Sequence, residues 1–578
     1  MECKEICKHT PQLKTIGLVN AERTVDCYAM CKASSVRAAA RQCAQVRHPR
    51  FNTDYPTVYE NLKRYQPHMF DRYLTADLKQ FTEFADRIYQ DEIKPLLTDF
   101  TVNTQDVIDW FNHLSRKQQT ELFPQGTVES VSYAILNNQV TFDLETITDK
   151  VTMPKLEAQD FGHPDDFDIM SLTSKFSKYP KTRCISMPCS SKEKYVMGPL
   201  VWKLESIFKK NVPGYSSGLS YKDLEDRFAI YEKKGFNMSI ASDQSAMDAH
   251  RNPLKCWYSE RQLYFDLMEE GKINHVPQDV FDTVALGVWN KLYCSYRNKD
   301  GKATNLGYAE IPGRTYSGEN HTSFANTYTT WIITRFIFEV LLKMDRSEYD
   351  FDAAGDDNNA VTYEGIRTEK EIKDAHDQAA KLLGCWFKMV DIGGLYDSDF
   401  CSTHVFKCPE CGPKIIRQLP RFLTLTPYSR NILKLSNDQA QNYIQDLKIA
   451  NSMWIGELDI FKQYNDRLKA DGEGIILTEQ KYTKSISKNK LFIPGGNIKE
   501  ETVISKLNKR MRLIDPSWEY RAETRVSEKK NCCNKAFREH YLGRKYGLSH
   551  EAIEGIIHEI KTAPDFAQLS FDTMLGLF

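Results

Sequence analysis

The sequence predicts an α+β chain of three or four lobes, and three observations predict it. Residues 349–363 read as two short strand runs meeting at Gly355-Asp356-Asp357, with Phe351, Ala353 and Ala354 before the turn and Ala360, Val361 and Tyr363 after it. Residues 236–241 read as a further strand that runs into Asp243. Apolar residues recur at helical spacing through 78–97, 331–343 and 368–383, and 422–578 reads as mainly helical. A length of 578 residues sets the number of lobes, at about 150 residues each.

Bulk properties exclude several classes. The net charge of −1 gives no global argument for a nucleic-acid partner, so local basic patches must carry one. Fifteen cysteines, an odd number spread along the chain, do not read as a secreted disulfide framework. The opening MECKEICKHT is polar and charged, not a signal peptide. The most apolar run, 331–342, is interrupted by Arg335 and Glu339 and is short for a bilayer span of about 20 residues, so no transmembrane segment is expected. These features predict a cytosolic protein that meets a membrane only through a partner.

In chain order, Cys3, Cys7, Cys27, Cys31 and Cys43 with His9 form two C-x3-C pairs. That spacing fits zinc less well than C-x2-C and is common among helix-packing cysteines, so no structural zinc is expected there. Helices are expected at 78–97 and 107–114, and a strand-like alternation at 131–148. Next, Lys175, Lys178, Lys181 and Arg183 punctuate an extended run around Pro180. Alternation places Lys181 and Arg183 on one strand face, where a guanidinium fork and a point charge could grip a triphosphate; a solvated basic face is the plainer alternative. Asp243 at a strand end and Asp248 five residues later could approach one site, although D-x4-D also suits a helix N-cap. Ser317-Gly318 reads as a flexible loop before a helix that carries Thr322 and Asn326 one turn apart. A hydroxyl and an amide on one helix face suit a ribose 2′-OH, and equally an ordinary capped helix. Lys388 lies on a strand-like run at 385–390, and strands near 400–407 and 414–418 read as a hairpin. C-P-E-C at 408–411 resembles half a zinc ribbon, but the chain has no second C-x2-C, so a proline- and glycine-containing turn is expected instead. Basic residues at 506–512 and 529–545, with Phe537, Tyr541 and Tyr546 in or beside the second run, suit either a nucleic-acid track or a solvated helix face.

For G-D-D alone, a solvated surface turn is the simpler reading; its carboxylates on a rigid hairpin would suit Mg²⁺, a hard ion that takes oxygen ligands. The order of the motifs adds what no single one gives. A basic strand, Asp243-x4-Asp248, Ser317-Gly318-x3-Thr322-x3-Asn326, Gly355-Asp356-Asp357, a lysine-bearing strand and an F-C-S hairpin follow one another over roughly 175–420. This series resembles the palm of positive-strand RNA virus RNA-dependent RNA polymerases. F-C-S-T-H at 400–404 and I-I-R-Q-L-P-R at 415–421 look most like the tombusvirus–flavivirus side of that family. The basic strand K-T-R-C-I-S-M-P at 181–188 resembles the family's motif for the incoming nucleotide but lacks the commoner second arginine after the proline.

The resemblance implies a right-hand fold with an antiparallel palm sheet and a mainly helical thumb. The N-terminal extension and fingers would take 1–235, the palm 236–250 and 311–420, a fingers insert 251–310, and the thumb 421–578. It implies a nucleotidyltransferase that adds ribonucleotides to an RNA 3′ end, replicating and transcribing a viral genome. Asp243 and Asp356 would bridge two Mg²⁺ ions about 3.5–4 Å apart, with Asp357 as a secondary ligand and Mn²⁺ as a substitute metal. Asp248, Thr322 and Asn326 would select the ribose; Lys181 and Arg183 would bind the triphosphate; Ser317 and Gly318 would flex with the template. Lys388 would be the general acid for pyrophosphate, and the hairpin 400–418 would steady the product 3′ end. Implied partners are RNA template and product, ribonucleoside triphosphates, other viral replication proteins and a host membrane reached through them. The implied setting is host cytoplasm, in membrane-associated replication complexes. Two competing readings fit less well. A reverse transcriptase would have no need of a 2′-OH reader at Asp248 and Asn326, and a non-catalytic scaffold would have no need of three intact motifs.

Overall fold

The computed structural model describes residues 76–114, 193–244, 247–285, 319–419, 455–467 and 529–562, single residues 315, 422 and 451, and the backbone of strand segments at 13–14, 24–25, 51–52, 150–156, 182–188, 289–297 and 303–312. Its strands are β1 (Leu13–Lys14), β2 (Thr24–Val25), β3 (Phe51–Asn52), β4 (Lys150–Leu156), β5 (Thr182–Pro188), β6 (Met238–Gln244), β7 (Trp289–Arg297), β8 (Ala303–Pro312), β9 (Tyr349–Ala354), β10 (Asp357–Thr362), β11 (Phe387–Gly394), β12 (Asp399–Phe400), β13 (Thr403–Cys408) and β14 (Gly412–Arg417). The chain is α+β, as its periodicities predict.

The sheet that carries the acids has the order β11-β6-β10-β9, antiparallel throughout. The hairpin β9–β10 closes on Gly355 at φ +65°, with no heavy atom near the place of a Cβ, so the backbone angle and not crowding calls for glycine. β6 begins two residues later than its apolar pattern suggests and runs on through Asp243. Phe236 goes instead into a small core with Tyr231 and Val361, after Gly235 has ended the preceding helix in the left-handed conformation. β11 extends to Gly394 because it pairs along all of β6. The outer edge of β9 is partly covered by the loop after Val212: Ala353 N–H donates to Gly214 O at 2.8 Å and Ser216 N–H to Ala353 O at 2.9 Å.

Beneath this sheet runs the helix Thr322–Arg335, continued by wider turns over Phe336–Leu341. Almost all of its side chains after the first turn are buried. Phe324, Tyr328, Trp331 and Phe336 join Phe351, Phe208 and Phe81 in the main core, and Trp331 Nε1 donates to Pro213 O at 2.7 Å. The helix expected at 78–97 forms as Ala76–Ile88 with a widened and then a tightened turn to Leu97. Residues Glu193–Asn211 form one helix through Pro199. Gly198 lies where a Cβ would come 2.3 Å from the Trp110 ring, so the helix Thr104–His113 packs directly on backbone. Helix Glu369–Leu383 is fixed at both ends, by a reciprocal Thr368–Glu371 cap and by Gly384 at φ +58°.

A three-stranded sheet, β12-β13-β14, joins the main body to the C-terminal helices. Phe406, Ile416 and Leu419 pack with Phe461, Phe537, Tyr541 and Ile557 in a second core. Glu225 ties the first body to this unit, accepting from Ile415 N–H at 2.9 Å beside buried Lys414 and Lys529. A separate five-stranded sheet has the order β1-β8-β7-β4-β5, with β4 parallel to β7 and its other pairs antiparallel. No helix among the described residues is long and apolar enough to cross a membrane. The N-terminal cysteines, the 131–148 alternation, Lys175, Lys178, Lys181, Ser317, Gly318 and the basic run 506–512 lie outside the described residues.

Candidate functional site

The register of the antiparallel sheet brings the sequence-distant acids together. Asp357 on β10 stands directly opposite Asp243 on β6, and Gln244 N–H donates to Asp356 O at 3.1 Å, which continues the pairing into the turn. Opposite residues of an antiparallel pair present their side chains on one face, with Cβ atoms roughly 5 Å apart. Asp243 and Asp357 therefore leave the same end of the sheet side by side, with Asp356 one residue further out. All three are half-buried.

The turn is held from below by the helix Thr322–Arg335. Thr327 Oγ1 accepts from Gly355 N–H at 2.9 Å, and Thr330 Oγ1 donates to Gly355 O at 2.7 Å. Both backbone polar groups of Gly355 are thus fixed by hydroxyls about one helical turn apart. Thr330 also accepts from Gln244 Nε2 at 3.2 Å, so the same residue touches both acid-bearing strands. Sequence reasoning stopped at Thr322 and Asn326; the hydroxyls at 327 and 330 were the available signal.

Behind the hairpin, Asp352 is completely buried. It pairs with Arg227 and accepts from Ser216 Oγ at 2.6 Å and Tyr231 OH at 2.9 Å. Burial alone would lower the Arg227 pKa; the Asp352 charge outweighs it, and the guanidinium is held above its ordinary value. This carboxylate faces the interior and belongs to the scaffold of the hairpin. It is a second feature that the sequence reading missed: the register puts Asp352 on the face of Asp243 and Asp357, two residues before Ala354, and only the contact with Arg227 distinguishes it from them.

The F-C-S segment reaches the tip from the other side. Cys401 and Ser402 both adopt positive φ, +50° and +61°, a rare conformation for non-glycine residues in succession. Cys401 is exposed as a residue, but its thiol is crowded by the turn and hydrogen-bonds to Asp357; desolvation first, and then the charges of Asp357 and Asp356, push the thiol up. The turn between β12 and β13 thus abuts the acidic tip. Its base is anchored by Asp399, which accepts from His404 Nδ1 at 2.8 Å and pairs with Lys545 at 2.6 Å. Burial would raise the Asp399 carboxyl, but His404 and Lys545 prevail and bring it to about 2.

The remaining candidates are placed less completely. Lys388 is exposed on β11, at a bulge between the partners of Gln244 and Asp243. Bulges re-aim side chains beside sites. Thr322 and Asn326 occupy the first turns of their helix, both half-buried, and buried Asn326 Oδ1 has no hydrogen-bond partner. Asp248 lies in the helical turn Met247–His250, close in sequence after β6, and Arg183 lies on β5 opposite Lys155; the structure describes only the backbone of these two. It brings Asp243, Asp356, Asp357 and the strand of Lys388 to one sheet end, and Arg183 to the edge strand of the separate five-stranded sheet.

C-P-E-C does form the hairpin turn between β13 and β14, as its proline and glycine suggest. Its thiols have company, however: Cys408, Cys411, Cys532 and Cys533 offer sulfurs that all lie within 4.8 Å of one another. The missing partners are an adjacent pair rather than a second C-x2-C. No family model matches the chain, and no curated protein matches it.

Proposed function

We propose that this chain is an RNA-directed RNA polymerase of the positive-strand RNA virus kind, with β11-β6-β10-β9 as its palm sheet, the segments before 236 and at 251–310 as fingers and the C-terminal helices as thumb. The observation that carries the reading is the in-register pairing of the Asp243 strand with the Gly355-Asp356-Asp357 strand, which collects acids separated by over a hundred residues at one sheet end. Oxygen-only donors, partly exposed and on rigid strands, suit Mg²⁺, and Asp243, Asp356 and Asp357 would hold it. When bound there, Mg²⁺ supplies activation of the RNA 3′-hydroxyl and neutralisation of charge on the triphosphate.

The chain's own residues supply the rest. Thr327 and Thr330 fix the Gly355 peptide, so the acids need no reorganisation during reaction. Asn326 Oδ1, buried and unpartnered, accepts from a ribose 2′-OH, and Thr322 and Asp248 share in selecting the ribose; the 2′-OH distinguishes RNA from DNA. Lys388 gives its proton to the departing pyrophosphate, Arg183 and Lys181 steady the incoming triphosphate, and Ser317-Gly318 yields as the template moves. The strained Cys401–Ser402 turn supports the product 3′ end.

The test is extension of a short RNA template, with and without primer, in Mg²⁺ or Mn²⁺, by wild type and by Asp356→Ala. Incorporation of ribonucleotides by wild type and its loss in the variant are expected. Full activity in Asp356→Ala would remove the metal assignment, and preference for deoxynucleotides would favour a reverse transcriptase.

A further inference from the structure

The four clustered cysteines lie far from the acids in role, and nothing in the polymerase reading uses them. Cys408 ends β13 and Cys411 precedes β14; Cys532 and Cys533 open the helix Asn531–Ala536. Cys411 and Cys532 bring their sulfurs to 3.3 Å across 121 residues of sequence. That separation exceeds a disulfide bond of about 2.05 Å by more than an ångström. It approaches the sulfur spacing around one tetrahedral ion, about 3.8 Å for metal–sulfur bonds of about 2.3 Å. A multi-iron cluster would seat its sulfurs on separate metal atoms and needs a wider frame than this.

The surroundings are those of a built site. In C-P-E-C-G, Cys408 Sγ accepts from the backbone N–H groups of Glu410 and Cys411, and Gly412 at φ +72° turns the chain back into β14. Peptide N–H groups aimed at a sulfur fix its orientation. Cys408 and Cys533 are buried in the same core as Phe406, Ile416 and Phe537. Cys411 and Cys532 are half-exposed and leave a route from solvent.

We infer that Cys408, Cys411, Cys532 and Cys533 form a structural Zn²⁺ site that staples the β13–β14 hairpin to the C-terminal helices. Binding replaces the thiol protons by one divalent ion in a closed S₄ shell, and the protons leave to solvent. The ligands come from a turn and a helix start that are distant in sequence, so the ion closes a long loop and fixes one body on the other. The staple also bears on the acidic tip, because β13 connects the knuckle at Cys408 to the Cys401–Ser402 turn beside Asp357. The inference stands independently of the polymerase reading, since its first readout is metal content.

The test uses the full chain, purified under reducing conditions without chelator, and measures zinc by elemental analysis. One zinc per chain is expected in wild type and in Cys3→Ser/Cys7→Ser, and at least a tenfold lower content in Cys411→Ser/Cys532→Ser. Replacement by Co²⁺ in wild type is expected to give the visible bands of a tetrahedral thiolate site. A zinc-selective chelator should lower the thermal midpoint of wild type. These wild-type measurements stand even where the cysteine variant fails to fold. Zinc that remains in Cys411→Ser/Cys532→Ser, zinc that is lost with Cys3 and Cys7 instead, or wild type that takes up neither metal would overturn the assignment. So would a Cys411–Cys532 disulfide in a non-reducing peptide map.

Discussion

Removing the Asp352 carboxylate is expected to loosen the acid-bearing hairpin without touching an acid at the tip. Asp352 has no exposure and accepts from Arg227, Ser216 and Tyr231, whereas the Arg227 side chain is 21% exposed. Breaking a buried ion pair by deleting one partner costs roughly 3–5 kcal/mol, mostly through the charge left behind. In Asp352→Ala the remaining guanidinium still reaches water, so the cost should lie near the low end, about 3 kcal/mol. In Arg227→Met the remaining carboxylate is sealed in, so the cost should lie near the high end, about 5 kcal/mol, offset in part by the two hydroxyl donors. The double variant should cost less than the sum, with a coupling of about 2 kcal/mol, within the range for residues in contact. The urea dependence grows with the surface exposed and should lie above the roughly 1–3 kcal/mol per molar of small proteins; at about 6 kcal/mol per molar the single variants should shift the unfolding midpoint by at least about 0.5 M. Hydrogen exchange followed by mass spectrometry should show faster exchange in peptides covering 349–362, while helix Glu369–Leu383 is slower to respond. Equal costs for the two single variants, or a midpoint shift in Asp352→Ala below about 0.3 M, would refute the reasoning.

Three further outcomes follow from the geometry. The Asp399 carboxyl is lowered from 3.8 to about 2, so its pairing with His404 and Lys545 contributes stability that is present above pH 4 and lost as pH falls towards 2. The urea midpoint of wild type should exceed that of Asp399→Asn at pH 5, and the gap should narrow by pH 3; a gap independent of pH would contradict the pairing. Lys388→Leu should slow single-turnover nucleotide addition by roughly 10²-fold, in the range of general acid catalysis, and an unchanged rate would dismiss that role. Thr327→Val with Thr330→Val should leave secondary structure intact by circular dichroism but free the Gly355 peptide, seen as loss of exchange protection at its N–H; retained protection would mean that the sheet alone holds the turn.

Much of the acid-bearing sheet was legible in the sequence because its signals are local. Gly355-Asp356-Asp357 dictates a tight turn, the runs on either side dictate strands, and Thr368 and Gly384 mark the ends of an amphipathic helix. Residue order also suggested a shared site for Asp243 and Asp356, but composition and spacing gave no distance between strands. That required the register of β6 on β10, which is set by burial of Ile240, Ala360 and Phe351 across three strands. Two features depended wholly on tertiary contact. Asp352 resembles any other acid of its strand until Arg227 closes over it. C-P-E-C reads as a turn until a helix beginning more than a hundred residues later lays two sulfurs against it. Periodicity and turn chemistry are properties of neighbours along the chain, and so the sequence determined the elements and the acids at their ends. Charge pairing and sulfur clustering depend on which surfaces the cores press together, and only the folded chain decided those.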